Sequence, residues 1–168
     1  LVESGSVLHV KQNNASVSGG GMYFHGDGSS FTATGNNTRL TVEANTAGES
    51  GGGMSFALGS VSSIDDGAKI SFRSNMAIDG GGIELASAGT RFRIRDTATH
   101  VSFLNNTAGH SGGGIGLSRG SFFELSSPSI FRGNRANSDA GGAVAFFEKR
   151  QTNSDVTCVS VVLEIMNV

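Results

Sequence analysis

The sequence predicts an all-β fold, a right-handed parallel β-helix (solenoid) of about five coils with roughly 30 residues and three short strands per coil. Three observations carry that prediction. One phrase recurs five times: an apolar residue, an Asn three positions on, an Ala two further, a short polar loop, a glycine run, then two apolar residues in alternation. The Asn residues of the phrase, Asn13, Asn45, Asn75, Asn106 and Asn134, stand 32, 30, 31 and 28 positions apart. The apolar blocks between them alternate with period two and show no helical period, which is the pattern of half-buried strands.

The first block of each repeat precedes the Asn: Leu8-His9-Val10, Leu40-Thr41-Val42, Ile70-Ser71-Phe72 and Val101-Ser102-Phe103. The second follows the glycines: Met22-Tyr23-Phe24, Met54-Ser55-Phe56, Ile83-Glu84-Leu85, Ile115-Gly116-Leu117 and Val144-Ala145-Phe146. A third, less regular block holds Phe31 with Ala33, Val61 with Ile64, Phe92 with Ile94, and Phe123 with Leu125. Phe31 to Leu40, Val61 to Ile70 and Phe92 to Val101 are each nine residues, so the phase is expected to hold around the whole coil. Like residues should then stack on like, with Val10, Val42, Phe72, Phe103 and Phe131 in one column and Met22, Met54, Ile83, Ile115 and Val144 in another. A lone coil cannot bury its own apolar face, so stacking is obligatory.

Asn at one corner of every coil tolerates the left-handed backbone a tight turn needs, and its amides can form a ladder from coil to coil. Gly at the second corner supplies positive φ without steric cost. The repeat cores lie near 8–24, 40–56, 70–85, 101–117 and 129–146, with a partial final coil at 156–168. We expect 1–168 to be a single β-helix piece of a longer array.

Composition narrows the function classes. Gly contributes 26 of 168 residues, Pro one and Trp none, so glycine is placed for turns. A net charge of −2 with no basic run argues against a nucleic-acid partner. No apolar run reaches the roughly 18 residues of a membrane span. Cys158 has no partner in the chain for a disulfide and reads as a buried apolar residue.

The phrase F-x-x-N followed by G-G-A-[IVL] resembles the repeat of the chlamydial polymorphic outer-membrane proteins. Phe131-Arg132-Gly133-Asn134 with Gly141-Gly142-Ala143-Val144 matches both halves. Phe103-Leu104-Asn105-Asn106 and Phe72-Arg73-Ser74-Asn75 match the first half, and their second halves read Gly-Gly-Gly-Ile. Val10 and Val42 stand where the pattern has Phe. The resemblance covers about residues 8 to 146. It implies a secreted, surface-exposed β-helix with an adhesive role.

Candidate sites follow from the outward positions. Arg91, Arg93 and Arg95 alternate with Phe92 and Ile94, so they should project together and could grip an anionic glycan. The outward row of the first strands, His9, Thr41, Ser71, Ser102 and Ile130, holds no acid pair. Neither does the row Tyr23, Ser55, Glu84, Gly116 and Ala145, as hydrolysis or elimination would need. Gly-Gly-Gly lacks the phosphate-loop pattern, and Gly26-Asp27-Gly28 is too isolated for a calcium repeat. His9, His25, His100 and His110 fall at different phases, so no metal is expected. Asn14, Asn36 and Asn105 head N-glycosylation triplets.

The reading is therefore a non-catalytic structural or adhesive segment of an extracellular or cell-surface protein, with no cofactor. Its expected partners are neighbouring coils or chains of a larger assembly, and surface glycans or receptors. The alternative is a carbohydrate-active β-helix, of polysaccharide lyase or hydrolase type, whose site lies outside or at the edge of this piece.

Overall fold

A computed structural model of the chain describes residues 1–3, 5–138 and 141–147. The partial coil at 156–168 and Cys158 lie outside the described residues. Every regular element described is a β-strand, and all strand pairs are parallel, each joining a coil to its neighbour. The fold is a β-solenoid of about five turns.

The strands build four sheets rather than three. The first holds Val7–Lys11, Arg39–Glu43, Lys69–Arg73, His100–Leu104 and Ser129–Arg132. The second is a narrow ladder of two-residue strands just past the Asn: Asn14–Ala15, Thr46–Ala47, Met76–Ala77, Thr107–Ala108 and Arg135–Ala136. The third holds Met22–His25, Met54–Ala57, Ile83–Ala86, Ile115–Ser118 and Val144–Phe147. The fourth holds Val2–Glu3, Thr32–Thr34, Val61–Ile64, Arg91–Ile94 and Phe122–Leu125. The narrow ladder escapes a reading by alternation, because two residues are too few to show a period.

Register follows the repeated phrase. Val10 pairs with Val42, Val42 with Phe72, Phe72 with Phe103 and Phe103 with Phe131. Met22, Met54, Ile83, Ile115 and Val144 align in the same way. The core is a stack of such columns. Phe72 lies on Phe103 with ring centroids 5.0 Å apart, and Phe103 on Phe131 at 4.7 Å, close to the strand spacing itself. Offset stacking of this kind adds about 0.5–1.5 kcal/mol per pair beyond the area it buries.

The fourth sheet departs from the expected phase. Thr32 pairs with Ser63 and Phe92 with Ser62, so Ser62 is the inward counterpart of Phe31 and Phe92. Val61 points outward at 46% exposure. The nine-residue spacing from Val61 to Ile70 misleads because the corner of that coil is one residue shorter. A one-residue slip turns every side chain to the other face, and Ser62 takes the inward place because its Oγ accepts the Phe31 N–H at 2.9 Å.

Two corner assignments also change. The left-handed residue is not the ladder Asn but the one before it: Gln12, Ala44, Ser74, Asn105 and Gly133, with φ of 57°, 52°, 54°, 54° and 66°. The preceding residue makes the bend, which leaves each Asn free to turn inward. In the glycine runs only the first position is left-handed, as at Gly51, φ 64°. The second is demanded by the next coil, since a Cβ on Gly52 would lie 2.5 Å from the Gly81 carbonyl oxygen.

Candidate functional site

The inward Asn corner is the most regular polar feature of the rod. Asn13 Nδ2 donates to Asn45 Oδ1 at 2.9 Å, and the bonds from Asn45 to Asn75, Asn75 to Asn106 and Asn106 to Asn134 are each 3.0 Å. Each Oδ1 also accepts the backbone N–H of the preceding coil's Asn, as Asn75 Oδ1 does from Asn45 at 3.1 Å. The second Nδ2 hydrogen reaches back to a backbone carbonyl, from Asn75 to Val42 at 2.9 Å. The fully buried Asn45, Asn75 and Asn106 thus have their polar atoms satisfied, as a buried amide requires. The corner supports structure and offers nothing to a ligand.

The arginine ridge lies on the fourth sheet, and the next coil partly neutralises it. Glu124, opposite Arg93 in register, receives Arg95 through two hydrogen bonds of 3.2 and 2.9 Å. Its Oε2 is also 3.4 Å from Arg93 Nε. Arg91 and Arg93 place their guanidinium carbons 5.8 and 5.6 Å from the Phe122 ring centroid. Two of the three cations therefore already hold a carboxylate, and Arg91 rests on an aromatic face. Phe123-Glu124-Leu125 was visible in the sequence, but that Glu124 stands beside Arg93 depends on the register.

Glu84 is the group whose setting differs most from the sequence reading. Its row on the third sheet was expected to face outward. Tyr23 does, at 50% exposure, whereas Ser55 and Glu84 are each only 2% exposed and Ala145 4%. The glycine turn before each strand folds over that face: a Cβ on Gly80 would come within 2.7 Å of the Glu84 Cβ. Gly116, opposite Glu84 on the next coil, makes room for the carboxyl, since any Cβ there would collide with Oε2. Ser118 Oγ donates to Oε1 at 3.1 Å, while Oε2 has no partner among the described residues. Burial raises the Glu84 pKa from its ordinary 4.5 to about 8; the Ser118 hydrogen bond opposes this, the Asp79 carboxylate adds to it and Arg119 opposes it. Near neutrality the side chain is held protonated, sealed between coils and out of reach of a polymer substrate.

The remaining candidates are scattered. His9 sits in the first sheet and His25 lies 5.5 Å from the Tyr23 ring. His100 Nδ1 is 2.8 Å from the Ala98 carbonyl oxygen, and His110 Nδ1 is 3.9 Å from Asp79 Oδ1. Among the described residues no group of three or more His, Cys, Asp or Glu side chains is arranged to hold a metal. Asn14, Asn36 and Asn105 are exposed. Thr38, which completes the Asn36 triplet, is buried and donates to the Thr34 carbonyl at 2.7 Å.

The ends of the first-sheet strands, on either side of their middle column, carry cations that were not singled out from the sequence. The first and last residues of those strands, Arg39, Lys69, Lys11 and Arg73 among them, share a phase from coil to coil, and that phase was the signal available to find them.

Residues 100–118 match the family model described as Chlamydia polymorphic membrane protein (Chlamydia_PMP) repeat. The match runs from the first-sheet strand at His100, through the Asn106 corner and the glycine turn, to the end of the third-sheet strand at Ser118. This segment is a polymorphic-membrane-protein-type repeat, and four further coils share its register. Neither the curated proteins nor the solved structures contain a match to the chain.

Proposed function

We propose that the chain is a non-catalytic structural or adhesive segment of an extracellular or cell-surface repeat protein. The observation that carries this reading is the unbroken coil-to-coil pairing of four sheets and the Asn ladder, which makes a stiff rod with long outer faces. The matched repeat belongs to a family of membrane-associated surface proteins, which supports a location at the cell surface. The carbohydrate-active alternative needs two ionisable groups flanking a substrate bond. Glu84 is closed off between coils, and Glu124 is tied to Arg93 and Arg95.

Two measurements test the reading. Antibodies raised against the purified chain should label intact, unpermeabilised cells that make the protein, and the folded chain should release no product from acidic or neutral polysaccharides. Labelling that requires permeabilisation would overturn the surface location. New reducing ends or unsaturated uronate products would overturn the non-catalytic role.

A further inference from the structure

The first sheet has the longest strands of the rod, and the charge on its outer side is opposite in sign to that of the chain. One outward column runs Val7, Arg39, Lys69, His100, and a second, at the other end of the same strands, runs Lys11, Glu43, Arg73, Leu104, Arg132. Lysine and arginine thus supply five cations, against the single carboxylate of Glu43, leaving +4 on this face of a chain whose net charge is −2. Arg73 is paired with Glu43 at 2.8 Å. Among the described residues no carboxylate lies within salt-bridge distance of Lys11, Arg39 or Lys69, all exposed. Of the acids of the adjoining corner, Asp66 accepts from Thr34 and Asp96 from Ala98 and Thr99, while Asp65 is half-buried and forms no salt bridge with these cations among the described residues. Between the charged columns stand the hydroxyls of Thr41, Ser71 and Ser102.

We propose that this face binds an extended acidic polysaccharide laid along the solenoid axis. The proposal deepens the adhesive reading and rests on it, since the face must be exposed to meet such a polymer. Coils repeat at about 4.8 Å, and residues four apart in one strand are about 13 Å apart, so the cations form two parallel rails. Sulfate or carboxylate groups of the polymer meet the rails, where guanidinium forks can hold them bidentately. Sugar hydroxyls meet the hydroxyl column between. Polymeric charge complementarity of this kind accumulates over many weak contacts. Among the described residues the face carries no outward Phe, Tyr or Trp on which bases could stack, which disfavours single-stranded nucleic acid. Its exposed apolar residues, Val7 and Ile130, stand singly and do not form the continuous apolar surface that enters a membrane.

The test is binding of the purified chain to heparin, with neutral dextran, oligothymidine and phosphatidylserine vesicles as comparison ligands. Heparin should bind, dextran should not, and added salt should weaken binding because exposed charges are screened. Arg39→Gln/Lys69→Gln should weaken heparin binding on the order of tenfold. Arg119→Gln/Arg135→Gln removes the same charge from exposed positions outside the first sheet and should leave binding within about twofold of the parent. Melting curves for both pairs show that the rod remains folded. Equal weakening by the two pairs would overturn the face as the site, and so would equal or tighter binding of oligothymidine or vesicles. Loss of heparin binding with surface labelling intact would remove this proposal alone. Failure of labelling would strike the surface reading while heparin binding by the purified chain still reports on the face.

Discussion

Replacing Glu84 by Gln should make the protein more stable at alkaline pH, with a gain that shrinks as the pH falls through neutrality and turns into a loss in mild acid. In the folded state the carboxyl has a pKa of about 8, against an ordinary 4.5 when exposed. Below pH 4.5 both states carry the proton and the group is neutral to stability. As pH rises from 4.5 towards 8 the unfolded chain ionises while the folded one keeps its proton, so stability falls along this interval and levels off above it. At 1.36 kcal/mol per pH unit the loss is about 3 kcal/mol at pH 7 and about 4–5 kcal/mol on the plateau. Gln is close in shape, stays neutral and can keep the Ser118 hydrogen bond, so it removes the pH-dependent term. Its buried amide lacks a second partner, which offsets about 1–3 kcal/mol at every pH. The assay is the melting temperature of parent and variant between pH 4.5 and 8.5. The variant should gain on the parent by about 8–16 °C across that range, taking roughly 2–4 °C per kcal/mol for a domain of this size. Other titrating groups cancel in the difference. Parallel melting curves across the range would refute the argument that burial between coils controls this side chain.

Other substitutions test the corners. Asn75→Leu removes four hydrogen bonds, from the Asn45 N–H and amide and to the Val42 carbonyl and Asn106, and leaves buried groups unpaired; it should cost at least about 3 kcal/mol in denaturant titration. Asn105→Gly, one position before the ladder at an exposed left-handed residue, should be neutral or slightly stabilising, so equal losses for the two would count against the ladder's role. Ser74→Gly relieves a left-handed non-glycine residue in the same column where Gly133 already stands, and should raise stability by a few tenths to about 1 kcal/mol.

The repeated phrase alone determined the all-β solenoid, the coil length and the columns of Val10 to Phe131 and Met22 to Val144. A solenoid presents the same environment to each residue once per coil, so the sequence repeats wherever the environment does. The Asn corner could be placed for the same reason, and its inward hydrogen bonds follow from burial with no water to satisfy the amides. The tertiary structure decided what depends on neighbours far apart in sequence. Alternation says that Glu84 and Leu85 face opposite sides of a strand, but not that the glycine turn covers the outer side, and that cover turns a surface acid into a sealed one. The Arg91, Arg93 and Arg95 ridge could be read from period two, whereas its capture by Glu124 came from the parallel register of the next coil. The phase of Val61 was lost in a corner one residue shorter, since strand alternation carries no information about loop length. The basic face of the first sheet likewise arises only when Lys11, Arg39, Lys69, Arg73 and Arg132, spread over about 120 residues of sequence, are brought to the roughly 4.8 Å spacing of adjacent strands.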